Sequence, residues 1–206
     1  MKVTKVFPEF LGLIIALRIL APTCWASASD TDTVEVRSAS GEYRYADWTH
    51  NFKNKLATDL YYIGVPGNNE LVACVGYSFP ARVGLSVTPF FCGITAKENK
   101  ERGVKAAAAI SWEKERWKGD VYYARFHPLR GNVSSYDVLD AANFTYSASK
   151  RWEVGVSTGF FRQDGKWNPL VGPLIRLHDK FGYWGISVRT GSTTELRVIR
   201  TITLIR

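Results

Sequence analysis

The sequence predicts an all-β chain, an up-and-down antiparallel β-barrel set in a membrane, and three observations predict it. From residue 60 onward, short runs alternate bulky apolar residues with small or polar ones. Turn-like pieces, among them Gly67-Asn68-Asn69, Ser149-Lys150 and Asp164-Gly165, separate these runs at regular intervals. The less bulky faces repeat small residues, with Ala107 and Ala109 in one run and Gly155, Ser157 and Gly159 in another. A soluble sandwich alternates too, but it does not usually put such small residues on its outer face. A membrane barrel turns bulky residues to lipid and small or polar ones inward. Trp112, Trp117, Trp152 and Trp184 lie near the ends of runs, where aromatic girdles meet the water boundary.

Lys2 and Lys5, the mostly apolar run over 11–20 and Ala26-Ser27-Ala28 together read as a signal peptide over 1–28. Arg18 interrupts the run, which falls short of the roughly 20 apolar residues of a membrane helix. The expected domain is therefore a barrel over 29–206 in the bacterial outer membrane. The chain carries a formal charge of +8, and about +6 without the leader. That balance suits anionic head groups or lipopolysaccharide phosphates, and equally a basic surface kept for solubility. No nucleic-acid partner is expected of an exported chain. Cys74 and Cys92 remain after cleavage; export permits a disulfide, but neither spacing nor alternation proves one. With no CxxC pair and no histidine cluster, neither a metal site nor a cofactor is expected.

Residues 29–44 are polar and read as a leader into the domain. Over 46–57, Trp48, Phe52 and Leu56 recur every four residues, which predicts an amphipathic helix with Asp47 as its N-cap and Lys53 and Lys55 toward its end. Such a helix can lie at the interface, aromatic face in lipid. About ten candidate strands follow, at 60–65, 71–79, 83–94, 104–112, 117–126, 141–148, 152–161, from 167, 182–188 and 195–205. Pro169 and Pro173 fall inside one of them. Proline cannot donate to a sheet ladder, so they mark an edge strand or a bulge.

A nucleophile needs a base within hydrogen-bond reach, and the base is often steered by a carboxylate. His127 ends one strand and Ser134, Ser135 and Asp137 follow in the next loop, so His127, Ser135 and Asp137 form a candidate catalytic set at one barrel end. The competing reading is structural: loops are rich in serine and aspartate, and His127-Pro128 can simply begin a turn.

Four pieces together resemble the PagP-like family of outer-membrane lipid A palmitoyltransferases. They are ADWTHNFKNKLA, AISWEKERWKGDVYYARF, VGVSTGFFRQDGKWNPLVGPL and GYWGISVRTGS, which occur in the family's order. The resemblance implies a monomeric barrel of about eight strands, opened by the amphipathic helix, with an interior pocket for one acyl chain. It implies transfer of a fatty acyl chain from a phospholipid to lipid A, with both lipids as partners. Under that reading Pro169 and Pro173 weaken the wall so that a lipid tail enters sideways. The family's histidine and its aspartate-serine pair have no counterparts by position. Gly67-Asn68-Asn69 stands near the place of the first, and Phe126-His127-Pro128-Leu129 in the place of the second. The alternative is a non-catalytic small outer-membrane barrel that is structural or binds lipid.

Overall fold

Alternation with a period of two makes strands, and strands in a bilayer must pair all round because lipid offers their backbones no hydrogen bond. The computed structural model describes residues 30–41, 43–66, 68–80, 84–96, 102–131 and 133–205; the expected signal peptide lies outside them. The strands are β1 (Thr31–Ala39), β2 (Arg44–Asn51), β3 (Leu56–Val65), β4 (Asn68–Tyr77), β5 (Phe79–Pro80), β6 (Leu85–Ala96) and β7 (Arg102–Lys114). They continue with β8 (Trp117–Arg130), β9 (Tyr136–Ser147), β10 (Trp152–Gln163), β11 (Lys166–Asp179), β12 (Gly182–Gly191) and β13 (Thr194–Ile205). Neighbours pair antiparallel, β1 pairs β13, and β4 pairs β6, so the sheet closes on itself. The two-residue β5 continues β4 along β6, so the thirteen strands make a wall of twelve staves. We call the end where β1 begins and β13 finishes proximal, and the opposite end distal.

The faces sort as a membrane barrel requires. Val154, Val156, Ile175, Ile186, Val188 and Val198 are exposed on the outside, while their neighbours Glu153, Ser157, Arg176, Ser187, Arg189 and Arg197 are buried within. Trp117 stacks on Phe144 at 5.0 Å near the proximal end, and Trp112 faces the same ring at 6.1 Å. At the distal end Phe160 and Trp167 meet at 4.7 Å. These aromatic residues cluster near the two ends of the wall, where the indoles of Trp112, Trp117 and Trp167 can meet both lipid and water.

Two expectations are corrected. No helix occurs among the described residues, and 46–57 supplies most of β2, a turn and the start of β3. A spacing of four is also an even number, so it puts Trp48 on one face of a strand as readily as of a helix. Trp48 points outward with His50, and its indole Nε1 donates to Asp32 Oδ1 at 2.9 Å. His50 Nδ1 lies 2.9 Å from the same oxygen. The barrel has twelve staves, not about eight, because stretches read as leader and helix are strands as well. In β1, Thr33, Glu35 and Arg37 alternate with Val34 and Val36, a polar face that needs a polar lumen to make sense.

Candidate functional site: a lumen with two unlike halves

Inward residues of β2, β3, β4 and β6–β9 form an apolar cluster that includes Tyr61, Val72, Phe90, Ile94, Phe126 and Tyr136. Phe126 and Tyr136 stack at 4.7 Å. Tyr61 and Tyr122 meet edge to face across the bore at 6.5 Å, their hydroxyls 3.4 Å apart. Cys74 and Cys92 are directly opposed on β4 and β6 and are joined by a disulfide, which settles the pairing the sequence left open. Lys105 is only 2% exposed. Its ammonium lies 3.4 Å from Glu70 and 5.6 Å from the rings of both Tyr61 and Tyr136.

The other half, built from β1, the proximal part of β8 and β9–β13, is charged and falls into two storeys. In the distal storey Arg37 Nη1 binds the carboxylate of Asp140, and Arg197 Nη1 reaches its other oxygen at 3.3 Å. Arg189 Nη1 donates to the main-chain carbonyl of Asp140 at 2.9 Å. Glu195 accepts from Arg189 Nη2 at 2.7 Å and from Arg197 Nε at 2.9 Å. Glu35 binds Arg37 and also accepts from the Thr201 hydroxyl at 2.8 Å. In the proximal storey Arg176 donates to Asp120 at 2.9 Å and lies 3.6 Å from Glu153. Lys118 and His178 approach Glu153 Oε1 at 2.7 and 3.1 Å. Buried charges persist only when paired like this.

Local backbone geometry places the central carboxylate. Tyr122 pairs with Ala141 and Tyr123 with Leu139, while on the other side Thr158 pairs with Ala142 and Phe160 with Leu139. Asp140 is thus passed over by both ladders, a β-bulge that aims an extra side chain into the lumen. Gly159 stands opposite, where a Cβ would lie 2.7 Å from the carbonyl oxygen of Leu139 and 2.9 Å from Arg189 Nη1. No side chain fits there while Arg189 reaches the bulge.

Among the described residues, three cavities follow one another along the bore. A distal one of about 420 Å³ is lined by Tyr43, Tyr45, Tyr61, Tyr122, Tyr136 and Asp140 among others. One of about 210 Å³ shares Tyr122 and adds Arg37 and Asp120. A proximal one of about 330 Å³ opens beside Lys118, Glu153 and His178.

The residues singled out from the sequence lie elsewhere. His127 is exposed on the outer face of β8, and Ser135 is exposed just before β9. Asp137 also faces outward, where it accepts from the Tyr123 hydroxyl at 2.7 Å and lies within 4.0 Å of Arg125 and Arg162. Among the described residues no hydrogen bond or ion pair joins these three. Pro169 and Pro173 point outward from β11, and the ladder to β12 skips Gly172 and Pro173 before resuming at Leu174 and Ser187. The skipped step is tightly packed: a Cβ on Gly172 would lie 1.7 Å from the Val188 carbonyl oxygen. Sequence reasoning missed Arg37, Arg176, Arg189, Arg197 and Asp140. Their signal was a charge recurring at alternate positions in otherwise apolar strands, as in LIRLHD and ELRVIR.

No family model and no curated protein sequence matches the chain. Among solved structures, the KdgM porin in complex with disordered oligogalacturonate matches with a TM-score of 0.62 at 11% identity, over 84% of this chain and 97% of that one. The KdgM porin alone gives a TM-score of 0.60 at 13% identity, over 84% of this chain and 98% of that one. A NanC porin gives 0.58 at 12% identity, over 85% and 99%. The likeness is one of fold: these barrels, rather than the PagP-like palmitoyltransferases, share the architecture. The acyltransferase reading and its phospholipid and lipid A partners are thereby overturned, and a lumen lined with paired charges is no acyl pocket. The chain is a twelve-staved porin-like barrel of the bacterial outer membrane.

Proposed function

We propose that the protein is a porin-like channel that passes small polar solutes along the charged half of its lumen. The observation that carries this reading is the column of paired charges running between the distal and proximal cavities. A barrel kept only for structure gains nothing from buried charges, which are costly to desolvate even when paired. Facing a bore, they give a passing polar solute successive partners for the water it sheds. The oligogalacturonate named with KdgM does not transfer directly, because the arginines here already face carboxylates.

Planar-bilayer recording on the purified, folded protein tests the reading. Discrete, reproducible conductance steps are expected. A heat-modifiable, fully folded barrel that passes no current overturns it. That result would favour the second reading, a non-catalytic barrel whose distal cavity binds rather than conducts, which the Tyr61–Tyr122 contact across the bore supports.

A further inference from the structure

We infer that Asp140 sets the ion selectivity of the lumen by holding neutral an arginine trio that would otherwise act as an anion filter. The inference rests on the channel reading above.

The trio comes from three different strands, Arg37 on β1, Arg189 on β12 and Arg197 on β13, and converges on one residue of β9. Arg189 and Arg197 are 2% and 4% exposed. Three guanidinium groups have three carboxylates as direct partners, those of Asp140, Glu195 and Glu35, so the charges within these pairs cancel. Asp47, opposite Glu35 on β2, and Asp59 on β3 face the lumen beside them. The three carboxylates are not equivalent. Glu195 reaches Arg189 and Arg197, and Glu35 reaches Arg37, whereas Asp140 is in hydrogen-bond contact with all three through its side chain and its carbonyl. It stands at the junction of the distal and middle cavities, lining the first while its partner Arg37 lines the second.

Two features show that the position is built. The bulge places Asp140 where neither flanking ladder constrains it, so its side chain meets arginines rather than lipid. Gly159 leaves the space that Arg189 occupies, since a Cβ there would crowd both its Nη1 and the Asp140 carbonyl. An unmatched guanidinium in a narrow, partly dehydrated bore interacts with a passing ion far more strongly than it would in bulk water. Loss of the Asp140 charge makes the storey more positive by one charge where the distal and middle cavities adjoin.

Reversal potentials across a tenfold potassium chloride gradient test the inference. Asp140→Asn is expected to move the potassium-to-chloride permeability ratio at least about threefold toward chloride. Asp140→Glu should hold the wild-type ratio. Asp137→Asn, three residues away on the outer face, should hold it as well. An Asp140→Asn channel that conducts with the wild-type ratio overturns the inference, as does an equal shift in Asp137→Asn. Should Asp140→Asn lose heat-modifiable migration, Arg197→Gln carries the test: a shift toward potassium is expected, and an unchanged ratio refutes the inference. A wild-type barrel that passes no current overturns the channel reading instead, so the two failures are separable.

Discussion

The two halves of the lumen are made from the same element, an antiparallel strand with every second residue turned inward, yet they solve opposite problems. Around β3, β4 and β6–β8 the inward residues pack on one another as in a soluble core, with Phe126 and Ala124 fully buried. Around β10–β13 they are buried just as deeply but, beside Leu174 and Ile199, are arginine, glutamate, serine and threonine. Packing fills much of the first half, whose tyrosines also line the distal cavity, whereas partnered charge gives the second a polar wall. The difference shows that a barrel of this width need not be an open tube. Half its interior can be packed for stability while the other half is lined with paired charge.

Breaking this division should have separable consequences. The largest loss is expected in the apolar half: Phe126→Ala should reduce stability by about 3–5 kcal/mol, read from urea unfolding in liposomes, with the ion permeability ratio unchanged. A change in selectivity from that substitution would mean that the apolar half lines the path after all. Removing the cross-strand disulfide in Cys74→Ser/Cys92→Ser should cost about 2–4 kcal/mol by the same measurement, again without altering selectivity. In the charged half, Glu153→Gln should cost less, about 1–3 kcal/mol, because Lys118 opens onto the proximal cavity and recovers water. It should nonetheless change the permeability ratio, since it leaves Arg176 and Lys118 with less compensating charge. An unchanged ratio there would confine selectivity to the distal storey.

Much of the wall was readable in the sequence. The face assignments for 104–112 and 152–157 are those observed, because bulky-out, small-in alternation leaves a direct trace in the residue order. The polar strand β1 left a weaker trace, since a charged inward face looks like a solvated leader until a lumen is there to receive it. In β2 the even spacing of Trp48 and Phe52 fits two periodicities at once, and only pairing with β1 and β3 decides between them. The site was hardly readable at all. Arg37, Asp140, Arg189 and Arg197 are scattered over 161 positions, as Arg37 and Arg197 are 160 residues apart in the chain and meet only through ring closure. His127 and Asp137 are near in sequence and looked like a constellation, but both face outward. Prolines in a strand signal a missing ladder bond; they do not say whether the neighbouring backbone stands apart or, as at Gly172, presses close.

The pairing of β1 with β13 also bears on how the barrel forms. Glu35 and Arg37 sit on one side of that seam, Thr201 and Arg197 on the other, and their shared partners include Asp140 on β9. Before the first and last strands meet, these groups lie on the margin of an unfinished sheet with part of their bonding unmet. Joining the seam satisfies them in one step, so the growing sheet has an electrostatic reason to close at this register. A slip of one residue would turn Arg37 toward the acyl chains and bring Val36 into the charged storey. The same carboxylates and guanidinium groups that line the bore thus act, during membrane insertion, as a clasp that recognises its own correct fastening.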